Sequence, residues 1–167
     1  DITVVSREDG SGTRGAFVEL FGIEEEVNGE KVDMTTEEAN ITNSTSVMMS
    51  TVAQDEYAIG YISLGSLDDS VKAVKVDGSE ATAENIKNGS YKISRPFNIA
   101  TKEDLSDAAQ DFEDFILSTE GQKVVEDNKY IPLDDVSDYK SNGASGKVVV
   151  AGSSSVTPVM EKLKEAY

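Results

Sequence analysis

Short β-branched runs alternate with amphipathic segments along the chain, and glycine and hydroxyl residues separate them. Ile2 to Val5 predict a strand, and residues 13–21 predict a helix with Phe17, Leu20 and Phe21 on one face. Further helices are predicted at residues 44–55, 82–91, 104–117 and 119–128. A hairpin is predicted around "NGEK", and strands are predicted within 57–67 and at 71–76. Strands that alternate with helices indicate an α/β sheet with right-handed crossovers.

The opening pattern occurs a second time near residue 147. "ITVVSREDGSGTRGAFVELF" and "VVVAGSSSVTPVMEKLKEAY" share one order: a β-branched strand, a turn rich in glycine and hydroxyls, and an amphipathic helix. In the second copy the strand is predicted at 148–151 and the helix at 156–167. Residues 134–146 are polar with no apolar period, which predicts a linker. We therefore expect one module over 1–133, a linker over 134–146, and the start of a further unit over 147–167.

Composition excludes several classes of function. The net charge of −17, with 15 basic residues scattered among 32 acids, argues against nucleic acid as a partner. No apolar run reaches the roughly 18 residues of a membrane helix, so this chain is not expected to insert into a membrane. The chain has no Cys and no His, so thiolate metal sites, disulfides and the commonest general base are excluded. No metal or cofactor is expected. Because residue 1 is not Met and adjoins a strand, we expect a cut inside a longer protein.

The two turns have the chemistry of an anion site. A helix N-terminus offers free backbone N–H groups, and glycine lets an oxyanion approach them. Arg7 at the end of the strand adds a guanidinium, Ser11 and Thr13 add hydroxyls, and Asp9 is expected to hold Arg7 in place. The same residue types are also ordinary helix caps, and one such turn alone is more often only a cap. Both interpretations stay open on the residues alone.

An enzyme has less support. The serines of the turns have no His or neighbouring Lys to act as a base. The phosphate-loop pattern of nucleotide hydrolases is absent, and "GSGTRG" lacks the acidic partner of a dinucleotide fingerprint. We therefore expect no catalysis.

The first turn resembles the hallmark loop of the phosphate-binding proteins of high-affinity phosphate ABC transporters, the PstS type. "VVVAGSSSVTPVMEKLKEAY", "AIGYISL" and "FILSTEGQKVVEDNKYIPL" are similar to other segments of that family, so the resemblance covers nearly the whole chain. It implies a type II periplasmic-binding-protein-like α/β fold, present here in part, with two lobes around a dehydrated phosphate. It further implies an extracytoplasmic protein, lipid-anchored through an N-terminal segment outside this chain, with a membrane permease as partner.

The resemblance also implies roles for individual residues. Arg7 would grip phosphate and Asp9 would pair with Arg7. The remaining contacts would come from hydroxyls and backbone N–H groups of Ser11, Gly12, Thr13, Ser154 and Ser155.

Two departures from the family pattern affect this interpretation. The family places its "GSSSVTP" segment before its "REDGSGTR" segment, whereas this chain has the reverse order. Either two modules follow one another in tandem, or one module is permuted. The carboxylate that accepts the phosphate proton in the family cannot be assigned here. A sensor or adhesion domain with the same fold is the main alternative function. A phosphate-ester hydrolase using Ser11 or Ser154 has less support.

Overall fold

The computed structural model describes residues 1–167, which form two compact units. The first unit comprises residues 1–95 together with 153–155, and the second comprises residues 96–152 and 156–167. The chain enters the first unit a second time at Ser153, and the boundaries expected at residues 133 and 146 stay a prediction. In neither unit is any helix long and apolar enough to span a bilayer.

The first unit is built on a three-stranded parallel sheet. Its elements are β1 (Thr3–Arg7), α1 (Gly12–Leu20), β2 (Glu24–Val27), β3 (Glu30–Asp33), β4 (Asn40–Thr42), α2 (Thr45–Gln54), β5 (Ala58–Ile59), a 3₁₀ turn (Leu64–Ser66) and α3 (Ala83–Lys87). The strand order is β4-β1-β5, with Arg7 opposite Thr42 and Thr3 opposite Ala58. Since β1 and β4 are parallel neighbours and each is followed by a helix, α1 and α2 begin at the same edge of the sheet. The predicted α/β fold is confirmed.

The antiparallel hairpin of β2 and β3 follows directly from its turn residues. Asn28 and Gly29 connect the strands with φ of 56° and 84°. A two-residue hairpin turn of this kind needs positive φ at both positions, which Asn and Gly tolerate best. The hairpin predicted around "NGEK" is therefore confirmed.

The second unit is helical and contains α4 (Asp107–Ile116), α5 (Thr119–Asp127) and α6 (Thr157–Ala166). Its core is formed by Phe112, Phe115, Ile116, Val159 and Leu163. Ser106 and Ser118 cap α4 and α5 by accepting hydrogen bonds from backbone N–H groups three residues onward. The corner between α4 and α5 is so tight that a Cβ on Gly121 would overlap the carbonyl oxygen of Phe115. Both helices agree with the prediction.

Two predicted strands are not formed. Residues 71–76 have only an isolated bridge between Val76 and Ser79, and residues 148–151 have no strand partner. A β-branched run gains little from an extended conformation unless another strand pairs with it and its side chains are covered. Val149 remains 77 % exposed, which is consistent with the absence of a partner.

Candidate anion-binding site

The site is centred on the guanidinium of Arg7, which is the last residue of the central strand and is only 2 % exposed. Its Nε and Nη2 donate to the two carboxylate oxygens of Glu8 at 2.8 and 2.9 Å. This two-point pairing is the strongest geometry between these groups, and the hydrogen bonds from Arg7 lower the pKa of Glu8. A buried cation is thus held in one orientation by its sequence neighbour.

The expected pair between Asp9 and Arg7 is wrong. Asp9 lies in the turn ahead of α1, where its side chain is almost entirely in solvent, and its carboxylate accepts from Arg14 at 2.9 Å. Arg14 is itself largely covered: it donates to the carbonyl of Arg7 at 2.8 Å and to Asp33 at 2.7 Å. The turn through Gly10, with φ of 80°, takes Asp9 away from the end of the strand.

The start of α1 supplies the donors that the sequence predicts. Ser11 is the N-cap, and its hydroxyl accepts from the N–H of Arg14 at 3.3 Å. Gly12 is the first helical residue, and Thr13 is buried. The first N–H groups of a helix have no acceptor within it, so this loop presents backbone donors at a partly positive terminus.

Residues 153–155 lie against the same loop although they are about 140 residues away in sequence. Ser154 Oγ accepts from Arg7 Nη2 at 3.1 Å. The hydroxyls of Thr13 and Ser155 share a hydrogen bond of 2.6 Å, and Ser153 and Ser155 share one of 2.8 Å. The structure thus places two hydrogen-bonded sets side by side: Arg7 with Ser154, and Thr13 with Ser153 and Ser155.

Gly12 lets a further cation approach this group. A Cβ at Gly12 would lie 3.3 Å from Ser153 Oγ and 3.7 Å from Nη2 of Arg95. Arg7, Arg14 and Arg95 are the three arginines of the chain, so all of them lie around the first turn of α1 in a protein of net charge −17. Sequence reasoning did not find Arg95, because "KISRPF" has no glycine or hydroxyl turn that would indicate a site.

Two other residues that the sequence reasoning missed complete the surroundings of Arg7. Tyr61 accepts from the backbone N–H of Arg7 at 3.1 Å, and its ring stacks on Phe17 with centroids 4.1 Å apart. Strand β5 ends at Ile59, so this hydroxyl replaces the carbonyl that a longer strand would offer. Thr45, the first residue of α2, accepts from Arg7 Nη1 at 3.4 Å. The helix at 44–55 was predicted from the sequence, but its position beside Arg7 depends on the pairing of β4 with β1.

The arrangement suits the binding of an oxyanion. It combines a buried guanidinium, several hydroxyls and the N-terminus of a helix, all of which can donate to oxygen. The hydroxyls of Thr13, Ser153 and Ser155 bond to one another, that of Ser154 accepts from Arg7, and that of Ser11 accepts from a backbone N–H.

Comparisons with known proteins agree with the fold. Residues 1–120 match the family model described as the PBP superfamily domain. "Phosphate-binding protein PstS 2" of Streptococcus agalactiae is 65 % identical over 168 residues, which cover 99 % of this chain and 57 % of that protein.

Solved structures give the same result. A phosphate-binding protein of a phosphate ABC transporter from Streptococcus pneumoniae aligns with a TM-score of 0.80 at 50 % identity, over 99 % of this chain and 65 % of that one. A phosphate ABC transporter substrate-binding protein from Clostridium perfringens, solved with bound phosphate, aligns with a TM-score of 0.70 at 48 % identity. That match covers 80 % of this chain and 52 % of the neighbour.

The parallel α/β sheet and the match over residues 1–120 define the class of protein. The chain belongs to the PBP superfamily, and its relatives are PstS proteins. It spans a little over half the length of the curated relatives that it matches.

Proposed function

We propose that this chain supplies one part of the phosphate site of an extracytoplasmic solute-binding protein, which delivers inorganic phosphate to an ABC transporter. The observation that carries the proposal is the convergence of the Arg7 guanidinium with hydroxyls from two separate turns. The names of the relatives and the phosphate bound in the neighbour from Clostridium perfringens support the choice of ligand. The membrane permease as partner and a lipid anchor are proposed from the resemblance alone.

The residues proposed to bind phosphate are those expected from the sequence, and only the supporting residue differs. Phosphate would contact Arg7, Ser11, Gly12, Thr13, Ser154 and Ser155. Glu8 takes the supporting role first given to Asp9, because Glu8 is the residue that holds the guanidinium. Hydrogen bonds to a charged group contribute roughly 1.5–3 kcal/mol each. A few of them, less the cost of desolvation, suffice for the roughly −8 kcal/mol of micromolar binding.

Calorimetry on the full-length protein that contains this chain tests the proposal. We expect inorganic phosphate to bind in the micromolar range or tighter, and Arg7→Lys to weaken binding by tenfold or more, because Lys cannot reproduce a planar two-point contact. Arg14→Lys is the matched control, since the Arg14 guanidinium bonds to Asp9, Asp33 and the Arg7 carbonyl and to none of the proposed phosphate-binding hydroxyls. A wild-type protein that binds no phosphate, or that binds sulfate equally well, would contradict the proposal.

We also infer that the module is permuted rather than the first of two in tandem. The match with the structure from Streptococcus pneumoniae covers 99 % of the 167 residues of this chain and 65 % of the other chain. The other chain is therefore about 255 residues long. The chain from Clostridium perfringens comes to about the same length, although only 80 % of the present chain aligns with it. A tandem protein would need about twice that length. The packing of Val159 and Leu163 against Phe112 and Phe115 supports the same inference.

A further inference from the structure

The guanidinium of Arg7 retains donors that its ion pair does not use. Glu8 occupies the edge formed by Nε and Nη2. The terminal edge, formed by Nη1 and Nη2, faces two hydroxyls: Thr45 Oγ1 at 3.4 Å from Nη1, and Ser154 Oγ at 3.1 Å from Nη2. We propose that Thr45 is a further phosphate-binding residue, flanking this edge as Ser154 does. This inference rests on the proposed function.

Hydroxyl chemistry supports the role of Thr45. A hydroxyl that accepts from a guanidinium keeps its own hydrogen free to donate to an anion. The Thr45 hydroxyl makes no other hydrogen bond within the chain. Its hydrogen can therefore point to an oxygen held by the terminal edge of Arg7.

A purely structural role for this hydroxyl has little support. The contact of 3.4 Å is at the limit of a hydrogen bond and adds little to the orientation of Arg7. Two shorter bonds from Arg7 to Glu8, of 2.8 and 2.9 Å, already fix the guanidinium. Helix α2 is capped by a different residue, Ser44, whose hydroxyl accepts from Val47 N–H.

The backbone around Thr45 adds donors of the same kind. Thr45 and Ser46 are the first two residues of the ten-residue helix α2, so their N–H groups have no acceptor within the helix. The parallel pairing that sets Arg7 opposite Thr42 places this helix start beside the end of β1. Thr45 would therefore bring a second helix N-terminus to the phosphate, in addition to that of α1.

The test is Thr45→Val in the full-length protein, with calorimetric titration of inorganic phosphate. Valine keeps the β-branched shape and removes the hydroxyl, so we expect the Kd to rise by roughly tenfold or more while the melting temperature without phosphate stays unchanged. Thr45→Ser should restore the affinity to within about threefold of wild type. Thr51→Val, which removes a hydroxyl from the same helix that bonds only to Val47 O, should leave the Kd unchanged.

The outcomes separate this inference from the proposed function. Wild-type binding with an unchanged Kd in Thr45→Val would overturn the role of Thr45 alone. A lower melting temperature together with weak binding that Thr45→Ser does not restore would also overturn it, since Thr45 would then be structural. If the wild-type protein bound no phosphate, the proposed function would fail and this inference with it.

Discussion

Burial of the Arg7 guanidinium removes a positive charge from water, which is costly unless acceptors surround it. Glu8 provides the compensating charge, and Thr45 and Ser154 provide neutral oxygens. An anion at the terminal edge would add to this set without displacing Glu8. Glu8 and a bound anion would then stabilise the same cation from different sides.

Replacing each of the neighbouring acids Glu8 and Asp9 separately by its amide distinguishes their roles. We expect Glu8→Gln to lower the free energy of unfolding by about 1–3 kcal/mol, less than for a fully buried pair because Glu8 is partly open to solvent. Asp9→Asn, which affects only an exposed contact with Arg14, should cost less than about 0.5 kcal/mol. Urea denaturation of both variants measures this difference. Equal losses would show that Glu8 is not the main partner of Arg7.

Residue identities were easier to predict from the sequence than residue pairings. A strand that ends in Arg before a Gly and Ser turn indicated where a guanidinium would lie, and Arg7 lies there. The sequence did not indicate which of two adjacent acids would face it, because that depends on the backbone angles of the turn at Gly10. Tyr61 contacts Arg7, and Arg95 lies beside Gly12, only because of the tertiary structure. A local sequence pattern does not predict such contacts.

Among the elements, the predicted linker at 134–146 makes specific hydrogen bonds with helix α4. Asp111 of α4 is buried and accepts hydrogen bonds from the hydroxyls of Tyr139, Ser141 and Tyr167 and from the N–H of Asn142. These donors, led by Tyr139 and Tyr167, lower the pKa of Asp111 to about 2. The carboxylate of Asp111 therefore binds the polar segment 134–146 to helix α4. Composition alone did not indicate this, because the partners are far apart in sequence.

Acid unfolding tests this element. The pKa of Asp111 is lower in the folded chain than its ordinary value of 3.8, so its stabilising effect is complete above pH 4 and is lost as the pH falls toward 2. We expect the melting temperature of wild type to exceed that of Asp111→Asn at pH 6 and the difference to shrink below pH 3.8. Asp114→Asn, an exposed acid of the same helix, is the control. A difference between wild type and Asp111→Asn that does not change with pH would contradict this account.

Helices were predicted better than strands for a physical reason. Side-chain caps such as Ser11, Ser44 and Ser118 act within a few residues, so these helix starts can be predicted from the local sequence. A strand depends on a partner, and the runs at 71–76 and 148–151 have none. Strand β1 was predicted correctly because it lies between two parallel neighbours that the chain itself supplies.

For the molecule as a whole, the position of α6 decides between the two possible orders of the module. In a permuted module α6 is part of the core that contains Phe112 and Phe115, where Leu163 is 2 % exposed. In a tandem protein the same helix would begin a different module, and α4 would not depend on it. The two orders therefore predict different effects of one substitution on a distant segment.

We expect Leu163→Ala in the full-length protein to destabilise the second unit by about 2–5 kcal/mol, because it leaves a cavity beside Phe112 and Phe115. Hydrogen exchange of the α4 amides, residues 107–116, is the measurement: protection should fall sharply in this variant. Lys164→Ala, an exposed neighbour on the same helix, should leave α4 protection unchanged. If α4 kept its full protection in Leu163→Ala, α6 would belong to another module and the permuted order would be wrong. Loss of protection in α4 requires the helix at residues 157–166 and the helix at 107–116 to share one core, which the tandem order does not allow.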